Sequence, residues 1–211
     1  MPFPSDIASY WDSVADRYLE LFRHELAGKP YDLQILRRFA GSLGPGSLVC
    51  DAGCGPCGHV SGFLSGLGLS VIGVDISPRC VALAREEQPQ VRFEVMNLRS
   101  MAFADGSIDG IVAYYSLHYD SAAVLTKVTS EFFRVLRPGG KILVVAKEGE
   151  GECWVPDPLG SGSEVFWKGF QADELVALLC SSPFQVEAVH IREPLPDEIA
   201  VRRIYVNAER S

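Results

Sequence analysis

The chain has 211 residues, 47% of them hydrophobic and 22% charged, which suits one α/β domain with a full core and leaves little room for a second. Its formal charge is −8, and its densest basic stretches, Arg202-Arg203 and Arg134 to Lys141, form no stripe with interleaved aromatics, which argues against a nucleic-acid partner. No stretch approaches the roughly 18 uninterrupted apolar residues of a membrane helix, and Met1 to Asp6 shows no basic segment leading into an apolar one, so no membrane partner and a cytoplasmic location are expected.

Ile7, Tyr10, Trp11, Val14, Tyr18, Leu21 and Phe22 fall at helical spacing and predict a helix from about Ser5 to Leu26. Gly28-Lys29-Pro30 breaks it, and a second helix covers Tyr31 to Leu43. The first strand is Ser47 to Asp51, followed by a glycine-rich turn and a helix from His59 to Leu67. The second strand is Ser70 to Asp75. Ser77-Pro78 is then an N-cap followed by a first-turn proline, and the helix runs to Glu87. The third strand is Val91 to Met96, and the fourth is Ile108 to Tyr115 after the turn Ala104-Asp105-Gly106-Ser107. A helix from Ala122 to Leu136 ends at Pro138-Gly139-Gly140, and the fifth strand is Lys141 to Ala146. Helices between strands imply right-handed crossovers and a parallel sheet buried on both faces. Beyond a Gly- and Glu-rich loop from Glu148 to about Gly162 and a helix from Ala172 to Cys180, two strands follow with only a loop between them, Gln185 to Ile191 and Ile199 to Asn207. That connectivity is antiparallel. The expectation is an α/β fold, doubly wound, with N-terminal helices and a mostly parallel seven-stranded sheet that ends in an antiparallel hairpin.

Chemistry concentrates after strand one, in Asp51-Ala52-Gly53-Cys54-Gly55-Pro56-Cys57-Gly58. Glycines there let the backbone pass close to a ligand, and open α/β sheets bind ligands at the carboxyl ends of their strands. Asp75, ending strand two, can accept both hydroxyls of a ribose. Gly53-x-Gly55-x-x-Gly58 alone matches a nicotinamide-dinucleotide fingerprint equally well. Asp51 just before the first glycine, two helices ahead of strand one and the closing hairpin all tilt away from that oxidoreductase reading.

Asp51-Ala52-Gly53-Cys54-Gly55-Pro56, Val74-Asp75-Ile76-Ser77, Phe93 to Leu98, Asp105 to His118 and Phe133 to Gly140 occur in an order that resembles the class I methyltransferases dependent on S-adenosylmethionine (SAM), in their broad small-molecule subgroup. The resemblance covers nearly the whole chain and implies a Rossmann-like single domain over 1–211, with a helical cap at 1–45, a cofactor core at 46–147 and substrate-side elements at 148–211. It implies transfer of a methyl group from SAM to an O, N or C atom of a small molecule, leaving S-adenosylhomocysteine (SAH), by a monomer or homodimer. Gly53 and Gly55 would pass along the methionine moiety, Asp75 would bind the ribose and Ile76 would pack on the adenine. Asn97 stands where the family often has Asp, and its amide oxygen can still accept from the adenine amino group. Asp51, Cys54, Leu98, Tyr115 and Tyr18 complete the expected cofactor contacts.

Cys50-x3-Cys54-x2-Cys57 has the spacing of a radical-SAM iron–sulfur motif, and Cys54-Gly55-Pro56-Cys57 is the thioredoxin tetrapeptide. On a strand Cys50 and Asp51 face opposite ways, which spoils a three-thiolate cluster. The thioredoxin reading lacks the preceding tryptophan, although Cys57 near a helix N-terminus is expected to have a lowered pKa. Small residues in a tight turn are the favoured reading. No His has partners at metal-ligand spacing, so no metal is expected. His118 is a candidate general base, weighed against a packing role that is favoured. Tyr10, Trp11, Tyr119, Trp154 and Trp167 are the candidate acceptor residues.

Overall fold

A computed structural model describes residues 7–211. The elements are α1 (Ile7–Phe22), α2 (Pro30–Gly41), β1 (Leu48–Ala52), α3 (His59–Gly66), β2 (Ser70–Asp75), α4 (Pro78–Glu87), β3 (Arg92–Val95), β4 (Ile108–Tyr114), α5 (Ala122–Val135), β5 (Leu136–Lys147), β6 (Glu152–Pro156), β7 (Glu164–Lys168), α6 (Ala172–Cys180), β8 (Phe184–Arg192) and β9 (Arg203–Arg210). Seven strands form one sheet in the order β3-β2-β1-β4-β5-β9-β8. The pairs from β3 to β5 are parallel, and β9 and β8 are antiparallel to their neighbours. This is the expected mostly parallel, doubly wound α/β sheet closed by a hairpin.

Strand alternation divides the core into two layers. Ile142, Val144 and Ala146 of β5 join Cys50 and Ala52 of β1 against Leu125, Val128 and Phe132 of α5. Leu143 and Val145 face the other way, with Val49 and Val112, against Ile35, Leu36 and Phe39 of α2 and Val60 and Leu64 of α3. Successive side chains point to opposite faces, so continuous apolar runs are what a sheet covered on both sides requires. Cys50 lies in the first layer while Asp51 turns to Ser61 of α3, whose hydroxyl donates to its Oδ2 at 2.6 Å.

Four boundaries differ from expectation. β5 begins at Leu136 instead of Lys141, so Pro138-Gly139-Gly140, expected to end the helix, lies inside the strand. The first predicted helix begins at Ser5, outside the described residues; α1 ends at Phe22, and a 3-10 turn at Glu25–Gly28 leads into Pro30 at the first turn of α2. The segment expected to be a loop from Glu148 to Gly162 contains β6, which pairs with β7 as a separate two-stranded sheet. Its glycines and prolines hide a short strand that packing supports: Val165 is buried against Tyr10 and Val14 of α1. The last strand starts at Arg203 instead of Ile199, because Glu198 is drawn into an ion pair with Arg192 of β8 and holds residues 193–202 as a loop. Among the described residues no helix is long and apolar enough to cross a membrane.

Candidate active site

The carboxyl ends of β1, β2 and β4 open onto a cavity beneath α1. The turn after β1 is built from left-handed glycines, with φ of +78° at Gly53, +61° at Gly55 and +53° at Gly58. A Cβ on Gly53 would stand 2.3 Å from Ser116 Cβ, and one on Gly58 would stand 2.7 Å from Phe93 Cζ. One on Gly55 would meet nothing within 4 Å. Packing therefore requires two of the glycines, and the third keeps the cavity open. Both Gly53 and Cys54 donate their N–H groups to Val74 O, which ties the turn to β2.

Asp75 is fixed by two backbone donors: Gly55 N–H to Oδ2 at 3.0 Å and Ser77 N–H to Oδ1 at 2.9 Å. Burial pushes its carboxyl up, while the N–H groups of Ser77 and Gly55 pull it down. A carboxylate offers about four acceptor positions, so two remain for a ligand. The neighbouring cap is doubly held. Ser77 Oγ accepts from Cys80 N and donates to Asp12 of α1 at 2.5 Å, which seats α1 over the start of α4.

Ile76, Asn97 and Leu98 line one end of the cavity. Asn97 is exposed, and its Oδ1 accepts from Arg99 N at 2.9 Å. Tyr18, Trp11 and Tyr119 line the roof and far wall, with Trp11 edge-on to Tyr119 at 4.8 Å and to Tyr18 at 5.8 Å. Tyr115 lies at the floor with a positive φ of 57°, and its hydroxyl and that of Ser116 are buried with no hydrogen-bond partner. Asp51 and Cys54 lie outside this cavity, in a smaller one beside it that also touches Gly53 and Gly55. Burial raises the Asp51 carboxyl to about 7.

His118 is fully buried and has no nitrogen to spare. Its Nδ1–H donates to Lys168 O at 2.6 Å and its Nε2 accepts Lys147 N–H at 2.9 Å, which fixes the tautomer. Burial lowers its pKa to about 3, and Trp167 stacks on it at 4.0 Å with the planes 3° apart. The candidate base is thus a strut joining β5 and β7, and both nitrogens are spent on backbone. Tyr10, Trp154 and Trp167 also lie outside the cavity lining. Tyr10 packs on Val14 and Val165, and Trp154 meets Phe166 at 5.7 Å across the β6–β7 hairpin. The expected low pKa of Cys57 is corrected as well. Burial pushes the thiol up to about 12, assisted by Glu25 and Glu87, and Cys54 is likewise raised by burial, which opposes thiol redox chemistry.

Four charged cavity residues escaped the sequence reading, Glu25, Arg99, Asp120 and Lys147. Lys147 closes β5, and its Nζ lies 5.5 Å from the Tyr115 ring centroid and 5.2 Å from that of Trp167. Burial is the main cause that lowers it to about 8. Its place as the first polar residue after Ile142–Ala146, at a strand's carboxyl end, was the available signal. Below the floor, Tyr114 and Tyr205 both donate to Asp32 Oδ1, at 2.5 and 3.0 Å. Arg192 links Asp32 to Glu198, and Lys29 joins Glu198 to Glu25. This buried network joins α2 to the terminal hairpin behind the site.

Residues 49–140 match the methyltransferase domain family. A demethylmenaquinone methyltransferase of Beutenbergia cavernae is 32% identical over 155 residues, 72% of this chain and 62% of that protein. An O-methyltransferase of Pyrenophora dematioidea is 28% identical over 180 residues, 80% of this chain and 65% of its own length. The chain therefore aligns with less than two thirds of either relative. The solved structure of a SAM-dependent methyltransferase from Methanosarcina mazei superposes with a TM-score of 0.74 at 23% identity, covering 83% of this chain and 96% of that one. Residues 49–140 thus match a methyltransferase domain, the relatives align around it, and the sheet has the fold of the Methanosarcina methyltransferase.

Proposed function

We propose that the chain transfers the methyl group of SAM to an acceptor atom of a small molecule bound in the cavity beneath α1. The observation that carries this reading is Asp75, whose carboxylate is oriented by Gly55 and Ser77 and keeps two acceptor positions at the cavity. Those positions suit the two ribose hydroxyls of an adenosyl group. Ile76 and Leu98 offer an apolar shelf for the base. Asn97, with Oδ1 engaged by Arg99, has its amide N–H groups and one acceptor position left for the adenine edge. The missing Cβ at Gly55 and the unpaired hydroxyls of Tyr115 and Ser116 leave room and polar partners for the methionine end.

When bound, SAM supplies a methyl group on a positively charged sulfur, which a nucleophile displaces in line. The protein's part is positioning and exclusion of water, which can lower such a barrier by about 7–11 kcal/mol. Trp11 and Tyr119 hold the acceptor from the far wall, and Trp167 braces Tyr119 edge-on at 5.6 Å. Tyr18 closes the roof beside them. That both curated relatives carry methyltransferase names, one of them O-methyltransferase, supports the same reading. Calorimetric titration with SAH, with NAD+ as control, tests it: binding of SAH alone is expected, and binding of NAD+ alone or of neither would overturn it.

A further inference from the structure

The charges around the cavity are matched with one exception. Glu25 pairs with Lys29 at 2.5 Å, Asp120 pairs with Arg99, and Asp75 is held by backbone N–H groups. Of the two cations lining the cavity, Arg99 is the one paired with Asp120, whereas Lys147 makes no ion pair within 4.0 Å among the described residues. Its neighbours from each packed element are Glu25 and Lys29 beside α2, Tyr115 after β4, Glu198 before β9 and Arg203 on β9. His118 also faces it, but as a neutral acceptor for the Lys147 backbone. The two carboxylates are already engaged by Lys29 and Arg192, so burial and the cations prevail and the amine titrates near 8.

Resting on the methyl-transfer reading, we propose that Lys147 is the general base of the reaction and that the acceptor is a planar aromatic compound bearing an acidic hydroxyl group. The rings beside Lys147 Nζ are Tyr115 at 5.5 Å and Trp167 at 5.2 Å, and Trp11 and Tyr119 line the same cavity. An alkylamine acceptor would bring a second cation against Lys147. An aliphatic alcohol is too weak an acid for a base that titrates near neutrality, whereas a phenolic hydroxyl is matched to it. In the step, the acceptor O–H bond breaks and its proton forms an N–H bond on Lys147 Nζ. The oxygen's electron pair forms the O–CH3 bond, and the pair of the broken C–S bond stays on sulfur. Lys147 then returns the proton to water.

The test offers labelled SAM with matched phenols, anilines, alkylamines and carboxylic acids on one- and two-ring skeletons. The expected label is on phenolic oxygen, with kcat/KM rising with pH to a plateau above about 8. Lys147→Met should lower kcat about 100-fold or more while SAH affinity is unchanged. Lys147→Arg, which cannot give up its proton, should be as slow and serves as the second variant for folding. Acylation of Lys147 by acetic anhydride, read by mass spectrometry against pH, should have its midpoint near 8. Label confined to nitrogen or carboxylate, no transfer to any phenol by a chain that binds SAH, or a Lys147→Met enzyme with the wild-type pH profile would overturn this inference alone. Failure to bind SAH would overturn the methyl-transfer reading and this inference together.

Discussion

Replacing His118 by alanine separates a strut from a catalyst. The change removes both partners of a buried ring, leaving Lys168 O and Lys147 N–H unsatisfied, and it takes away the face on which Trp167 stacks. Each orphaned backbone group costs about 1–3 kcal/mol. The lost ring contact adds about 0.5–1.5 kcal/mol. The sum is about 2.5–7.5 kcal/mol, a fall in Tm of the order of 10 °C for a chain of this size. Thermal and urea unfolding of both proteins at pH 7.5 measure it. The pH dependence carries a second signature. The imidazolium is disfavoured in the fold, at about 3 against 6.5 in the unfolded chain. Neutral His118 therefore stabilises fully above pH 6.5, and that contribution is lost as pH falls from 6.5 toward about 3, by up to about 1.4 kcal/mol per unit. The stability gap between wild type and His118→Ala should narrow across that window. A variant as stable as wild type but without methyl transfer would refute the strut and restore the base.

Other substitutions test the surrounding construction. Gly53→Ala should unfold at lower temperature, since its Cβ would drive into Ser116 at a left-handed φ; Gly55→Ala should lose only about 1–2 kcal/mol of stability to backbone strain yet bind SAH poorly, because its Cβ enters the cavity. Asp32→Ala leaves Arg192 and the hydroxyls of Tyr114 and Tyr205 without their acceptor and should cost about 3–5 kcal/mol in urea unfolding, with less than 1 kcal/mol contradicting the network's role. Cys57, buried and raised to about 12, should resist iodoacetamide at pH 8 under conditions that alkylate exposed Cys153, and equal labelling of the two by peptide mass spectrometry would contradict that placement.

The parallel half of the fold was legible because its physics is local and repeated. Runs such as Ile142 to Ala146 must be strands buried on both faces, and the Ser77-Pro78 cap sets the start of α4 to the residue. The positions of Gly53 and Asp75 followed from the same strand ends. What depended on tertiary partners was not legible. Nothing local marks Glu152–Pro156 as a strand, because its support comes from Tyr10 and Val14 more than a hundred residues away in the chain. The start of β9 moved because Glu198 finds Arg192, a pairing that no periodicity records. His118 and Lys147 show the same limit: residue type made the imidazole a candidate base beside the favoured packing role, and it did not single out Lys147, which lines the cavity.

The most direct test of the central claim is the affinity of SAH for the wild-type chain and for Asp75→Ala, by calorimetry, with Asp75→Asn as the conservative partner and circular dichroism to establish that each is folded. Losing two charge-assisted hydrogen bonds of about 1.5–3 kcal/mol each predicts a Kd at least about 100-fold weaker for Asp75→Ala, with Asp75→Asn in between. Wild-type affinity in a folded Asp75→Ala protein would mean that the adenosyl group does not sit on β2, and the assignment of the cavity would fall with it.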